Sequence, residues 1–336
     1  MKVAIGVFAH NEDATIGQML RAIDGQDLFN GPAEIRVCVL SNGSTDDTVA
    51  RAQDALDHLS HGACFHVVEL QSAGKSRTWN RFVHELAGDA DILICADADI
   101  TLTAPDTLRC LSESLLSDPE REVASSWPVK DIATKDAPTL RERLIRLGAG
   151  TLHDNRHAIC GQLYAMRATT ARHIHMPVGL PVEDGFLRAM ILTRLLTERE
   201  HLERIVSDAH VSHVYRSETT LRGLIRHQVR VVVGGAVNAW VFAAINAQPD
   251  SFVARAAFLN EAARDPEFVS RIVAQATPTF PHGYVPFEFL IKRLRRLPHV
   301  AGASRKLVTL LGFGLDLVVY IAASAVMARN KAQGFW

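Results

Sequence analysis

The sequence predicts an α/β fold, a mostly parallel sheet covered by helices and followed by a helical C-terminal region. From Lys2 to about Trp127, short apolar runs alternate with segments of helical period, as strands buried on both faces do when helices connect them. After Ser217 the pattern becomes mainly helical, and this composition shift near Glu218 divides the chain into residues 1–217 and 218–336.

The strands are expected at Val3 to Ala9, Ile35 to Leu40, Phe65 to Leu70, Ile92 to Ala96 and Val123 to Trp127. Between them, Ile16, Met19, Leu20 and Ile23 share one helical face, as do Val49, Ala52, Leu56 and Leu59, and then Trp79, Phe82, Val83 and Leu86. Thr45, followed by Asp46 and Asp47, suits a helix start, because its hydroxyl can accept from unpaired amides and the carboxylates favour the dipole. The middle of the chain is less regular, with helices expected at Thr139 to Leu147 and Val182 to Leu196 and a short strand near Cys160 to Met166.

A chain of 336 residues can bury a substantial core, and its formal net charge of -1 lacks the basic excess of a nucleic-acid partner. Its five cysteines form no Cys-x-x-Cys pair, which reads as free thiols in a reducing compartment. The apolar start, Met1 to Ala9, runs into His10-Asn11-Glu12-Asp13 without a cleavage-like site and reads as a first buried strand.

In open α/β sheets ligands bind outside the carboxyl ends of the strands. That rule selects His10-Asn11-Glu12-Asp13, Ser41-Asn42-Gly43-Ser44, Gln71-Ser72-Ala73-Gly74-Lys75 and Asp97-Ala98-Asp99 as four polar loops facing one cleft. Two carboxylates one residue apart after a buried strand supply hard oxygen ligands, which suits a divalent cation that also meets phosphate.

Taken in order, Asn11-Glu12, Ser41-Asn42-Gly43-Ser44-Thr45-Asp46-Asp47-Thr48, Gly74-Lys75 and Asp97-Ala98-Asp99 resemble the family 2 glycosyltransferases, whose fold is the GT-A nucleotide-sugar-binding fold. The resemblance continues in Gly161-Gln162-Leu163-Tyr164-Ala165-Met166-Arg167 and Glu183-Asp184-Gly185-Phe186-Leu187 and covers about residues 1 to 230. It implies a nucleotide-sugar-binding and catalytic domain in residues 1–217. The donor side would be formed by Asn11, Glu12, Ser41, Asn42, Lys75 and Asp97. Mg2+ or Mn2+ would be held by Asp99, with Asp97 acting through water or the ribose and His213 as a third ligand. Asp184 would be the catalytic base, with Glu183 orienting it or the acceptor. Such an enzyme moves a sugar from a nucleoside diphosphate, here with uridine expected, by single displacement with inversion.

Two departures from the family pattern stand out. Ser41-Asn42 occupies the place of the usual aspartate pair, and Gln228-Val229-Arg230-Val231-Val232 lacks the Gln-x-x-Arg-Trp signature of polymer-making members, which suggests single transfer. Arg226 and Arg230, four apart on a helix, could grip a phosphate. His153 and His157 share the same spacing, yet no further ligand completes a metal set, and Trp127-Pro128 either lines the sugar site or ends a strand.

Leu307 to Met327 is long and apolar enough to cross a bilayer, but Asp316 interrupts it. Lys292, Arg293, Arg295, Arg296, Arg305 and Lys306 precede it and only Arg329 and Lys331 follow, which places the preceding domain on the cytoplasmic side of the cell membrane. The sequence therefore favours membrane association over spanning, and with it a lipid-linked acceptor in envelope glycan or glycolipid synthesis. Two alternatives are a transferase with a soluble acceptor, its tail a packed helix, and a catalytically silent sugar-nucleotide-binding or scaffold protein.

Overall fold

A computed structural model describes residues 1–134, 156–218, 220–276, 283–300 and 302–329. Eight strands form one sheet: β1 (Lys2–Ala9), β2 (Glu34–Asn42), β3 (Phe65–Leu70), β4 (Ile92–Asp97), β5 (Ile100–Leu102), β6 (Val123–Lys130), β7 (Leu163–Arg167) and β8 (Ile205–Tyr215). Their spatial order is β3-β2-β1-β4-β7-β6-β8-β5. The five expected strands are all present, and β1 to β4 pair in parallel. The fifth, β6, does not lie beside β4, because β7 enters antiparallel between them.

Alternation along β1 assigns the two faces. Val3, Ile5, Val7 and Ala9 pack with α1 (Ile16–Asp24), α2 (Thr48–Leu56) and α4 (Thr107–Leu116), whereas Ala4 and Phe8 point to the opposite core. There α3 (Lys75–Arg81) continues as a wider π turn, Phe82–Leu86. Gly6 leaves room for Phe82, since a Cβ on it would lie 2.9 Å from the ring. Trp79 donates its indole N–H to Tyr164 Oη at 2.8 Å and so ties this helix to β7.

Local details correct several expectations. The second helix begins at Thr48 rather than Thr45: Asp46 Oδ1 accepts the Thr48 N–H at 3.0 Å, while the Thr45 N–H is taken by Asn11 Oδ1 at 2.8 Å. Leu59 lies beyond that helix. Trp127-Pro128 does not end its strand, since β6 pairs with β8 as far as Lys130. Pro128 is tolerated because β7 pairs only with Val123 to Ser125 and asks no N–H of it. The helix α5 (Glu183–Leu192) stops before Leu196, because Arg194, Leu195 and Leu196 all take positive φ. Thr193 Oγ1 accepting the Leu196 N–H and Arg255 donating to the Leu195 carbonyl hold that turn.

Thr220 caps α6 (Leu221–Asn246) by accepting the Gly223 N–H at 3.0 Å. Four helices follow: α7 (Phe252–Arg264), α8 (Phe268–Gln275), α9 (Phe287–Arg296) and α10 (Ala303–Ala328). Val233, Val241, Leu259, Val273, Val319 and Met327 from these helices join the same core as Phe8, Leu93 and Tyr164 of the sheet. By length and composition α6 and α10 could each cross a membrane. The helix expected at Thr139 to Leu147, like His153, lies outside the described residues. All five cysteines are free thiols, with Cys38 and Cys95 buried.

Tyr164→Phe leaves the buried indole N–H of Trp79 without its oxygen acceptor and is expected to cost about 1–3 kcal/mol. A lower urea midpoint at unchanged slope is the measurement, and an unshifted midpoint would refute the assignment.

Candidate active site

The four strand-end loops are laced together by side chains that replace missing backbone partners. His10 Nδ1 lies 2.7 Å from the Asn42 carbonyl, the Asn11 N–H donates to Ser44 Oγ, and the Glu12 N–H donates to Thr48 Oγ1 at 2.7 Å. Asn42 Oδ1 accepts from the Gly74 N–H and from Thr78 Oγ1, both at 2.8 Å. Asn42 and Ser41 are buried, and Ser41 Oγ donates to Ser44 Oγ at 3.0 Å. Asn11 takes the left-handed conformation, φ 56°, which asparagine tolerates. Gly43, at φ +61°, is required by space as well, since a Cβ would lie 2.5 Å from the Ala73 nitrogen.

At the centre Lys75, the first residue of α3, reaches across the end of the sheet. Its Nζ lies 2.8 Å from Asp97 Oδ1, 3.1 Å from the Gly161 carbonyl oxygen and 3.4 Å from Glu183 Oε1. The ammonium is held well above the usual lysine range by Asp97, Glu183 and Asp184 despite its burial. Burial pushes the Asp97 carboxyl up to about 7, the charges of Asp99 and Glu183 add to this, and Lys75 opposes it. Asp184 is also raised, by burial and by Glu183, against the Gly185 N–H, Lys75 and Arg230. Glu12 is raised by burial, with Asp99 and Asp46 contributing. The Lys75 ammonium therefore stands among Asp97, Glu183 and Asp184, with Asp99 beside Asp97 and Arg230 acting on Asp184.

Asp99 follows in the exposed turn after β4. His213 is buried on β8, its Nδ1 2.9 Å from Ser126 Oγ and its Nε2 3.3 Å from Gln162 Oε1. Burial brings its pKa down to about 4, so the ring is neutral at pH 7. Gln162 also accepts the Asp97 N–H on its carbonyl oxygen, 2.8 Å away, and so bridges the histidine to the acidic pair. His210 is exposed, as the strand alternation expects. Among the described residues no group of three or more His, Cys, Asp and Glu side chains is placed to hold a metal ion. His157 does structural work, its Nδ1 lying 3.0 Å from the Ile205 carbonyl.

Residues outside the expected set position the acidic helix start. A Cβ on Gly161 would come within 3.3 Å of Asp184 Cβ, and one on Gly234 of α6 would lie 2.2 Å from Val182 Cγ2. Asn238 of α6 donates to the Val182 carbonyl at 3.0 Å. Thus α6 seats directly on the residue before Glu183-Asp184. The sequence signal was the pair Gly234-Gly235 within a long apolar helix, followed by the buried Asn238.

The glycosyl transferase family 2 profile matches residues 4–172, half of the chain. The chain belongs to glycosyl transferase family 2. The enzyme is thus a glycosyltransferase with the GT-A fold. Among solved structures it resembles the mannosyltransferase PcManGT from Pyrobaculum calidifontis, in complex with GDP-Man and Mn2+, at 18% identity and a TM-score of 0.54, covering 98% of this chain and 85% of that one. It also resembles glucosyl-3-phosphoglycerate synthase from Mycobacterium tuberculosis in complex with Mg2+ and UDP, at 21% identity and a TM-score of 0.50, over 72% of this chain and 79% of that one. No curated protein matches the chain.

Lys75→Met leaves buried carboxylates without their cation and is expected to destabilise by about 3–5 kcal/mol at pH 8. Carboxylates whose folded pKa lies above the unfolded value weaken the fold above that folded pKa and cease to do so below the unfolded one, near 4. The variant's deficit in urea unfolding should therefore shrink between pH 8 and pH 5, and an equal deficit at both would contradict the electrostatic assignment. Gly234→Ala, which must displace Val182, is expected to lower kcat about tenfold or more with a smaller effect on donor KM. Unchanged kcat would show that α6 does not position Glu183-Asp184.

Proposed function

We propose that this glycosyltransferase is metal-dependent and inverting, and that it moves a sugar from a nucleoside diphosphate, with uridine the expected base, to a hydroxyl or phosphate of a lipid-linked acceptor. The observation that carries this reading is the group of carboxylates at the carboxyl ends of the strands, Asp97 and Glu183 bound to Lys75 with Asp184 and Asp99 beside them. Carboxylate oxygens supplied by Asp97 and Asp99 suit a hard divalent ion. Asp99 and Asp97 are the residues that would hold Mg2+ or Mn2+. His213, neutral and one residue removed through Gln162, is the third candidate. Bound there, the ion would supply positive charge to the leaving diphosphate. The Mn2+ and Mg2+ and the nucleotides in the PcManGT and glucosyl-3-phosphoglycerate synthase structures support a divalent cofactor and a nucleotide-sugar donor.

The chain's own residues divide the remaining work. Asn11, Glu12, Ser41 and Asn42 form the donor-side wall, and because Asn42 Oδ1 is committed to Gly74 and Thr78, this wall is rigid. Lys75 holds Asp97 and Glu183 in place and lends positive charge to the diphosphate side. Asp184 accepts the proton of the acceptor hydroxyl as its oxygen attacks the anomeric carbon and the bond to the diphosphate oxygen breaks on the opposite side. Its raised pKa strengthens it as a base, while Lys75, Arg230 and the Gly185 N–H, 2.7 Å from Oδ1, favour its ionised form. Glu183, bound to Lys75, orients it.

The long apolar α10 and the basic residues before it support an acceptor on lipid at the cytoplasmic membrane face, in envelope glycan or glycolipid synthesis. Asp184→Asn is expected to lower kcat by about 100-fold or more at little change in donor affinity. Asp99→Ala should abolish the tightening of donor binding by Mn2+, an effect that the Asp184 change should leave intact. Titrating nucleoside-diphosphate sugars with and without Mn2+ measures the second point, and full transferase activity in either variant would overturn the roles.

A further inference from the structure

The helix α10 carries two opposed apolar faces, and among the described residues only one of them is buried against the protein. At about 100° per residue, Gly312, Asp316, Val319, Ala323 and Met327 cluster on one side. Val319, Ala323 and Met327 are buried in the main core. Asp316 is buried too, its Oδ2 2.7 Å from Arg293 Nε of α9, and Gly312 leaves the space that the Arg293 guanidinium occupies.

On the opposite side Leu307, Leu310, Leu311, Leu317, Val318 and Ile321 are between 41% and 67% exposed. These are six of the twelve exposed large apolar residues among the described residues. Gly314 lies open between them. The stripe is about 120° wide and about 20 Å long, continuous along four turns. Isolated exposed leucines need no explanation, but a contiguous patch of this kind marks an interaction surface.

We propose that this stripe is a membrane-docking face: α10 lies in the plane of the bilayer interface, its leucine side in the acyl boundary and its Asp316 side on the protein, without crossing. The inference rests on the membrane-side reading above and gives it a surface. Charge selects the occupant. Lys292, Arg295 and Arg296 of the adjoining α9 and Lys306 in the first turn of α10 are exposed. The described residues 283–300 and 302–329 hold only two acids, Glu288 and the paired Asp316.

An anionic lipid surface attracts such a basic frame. A second copy of the chain docked through the same stripe would bring the basic frames together, which is unfavourable. Crossing the bilayer would require the Asp316–Arg293 pair to enter hydrocarbon and Val319, Ala323 and Met327 to leave the core.

The test is flotation of the full-length protein with phosphatidylcholine vesicles and with vesicles containing phosphatidylglycerol, alongside donor hydrolysis with Mn2+ in the absence of vesicles. The wild type should float with the anionic vesicles, less so at high salt, and be released by alkaline carbonate. Leu311→Gln with Ile321→Gln should lower the partition coefficient about tenfold or more and leave donor hydrolysis unchanged. Lys292→Glu with Arg295→Glu should remove the preference for anionic vesicles.

Failure of the wild type to float, equal flotation of the leucine-face variant, or resistance to carbonate would each overturn the proposal. So would a wild-type dimer in sedimentation that the leucine-face variant dissociates, which would make the occupant a second copy. Absence of donor hydrolysis in the wild type would instead count against the transferase roles, leaving the flotation result to stand by itself.

Discussion

A largely enclosed ammonium is tolerated only where carboxylates pair with it, and the active site is arranged around that requirement at the half-buried Lys75. The side chain joins the end of β4 through Asp97 to the start of α5 through Glu183, two segments 86 residues apart, which the Gly161 carbonyl completes. The same ion cluster sets the relative position of the donor-side loops and the acidic helix start. Crowding of carboxylates raises Asp97 and Asp184 even with Lys75 and Arg230 nearby, so further positive charge arriving at the site would favour their ionised forms.

The parallel half of the fold was legible in the sequence because β1 and β4 are buried on both faces and read as apolar runs, and β2 and β3 keep an apolar stretch between polar residues. Phe65–Leu70 coincides with its expected bounds, and β1, β2 and β4 differ by one or two residues at their ends. The position of β7 was not legible, since composition identifies a strand but not its neighbour, and pairing depends on the path of the intervening chain. The start of α2 was misplaced for a related reason: Thr45 has the right chemistry for a cap, but the oxygen that accepts the Thr48 N–H is Asp46 Oδ1, while Thr45 is drawn to Asn11, 34 residues away.

The candidate site shows the same division. Short motifs revealed Asn11, Asn42, Lys75, Asp97 and Asp184, because local loop chemistry fixes them. They did not reveal that Asn42 spends its oxygen within the loops, that Gln162 stands between His213 and Asp97, or that Gly234 and Asn238 seat the acidic helix. These are facts of packing between distant segments. The long apolar pattern of α10 likewise signalled burial or lipid without saying which face met which, and the Arg293–Asp316 pair resolved the direction of one face.

The reversal of strand direction between β4 and β7 has a consequence for how the enzyme can diversify. On one side of that seam lies a contiguous segment, residues 1–97, whose strands run parallel and whose loops fix one another. On the other lie strands drawn from a longer, looping path, met by helices of the C-terminal region. Lys75 and a few hydrogen bonds cross the boundary near the cleft, while the backbone ladder between Ile92–Ala96 and Leu163–Arg167 is indifferent to side-chain identity. Away from the Trp79–Tyr164 hydrogen bond and the apolar core that both halves share, substitutions in the second half can thus remodel what approaches the site without dismantling the first, a modular division that lets one scaffold change its clientele piece by piece.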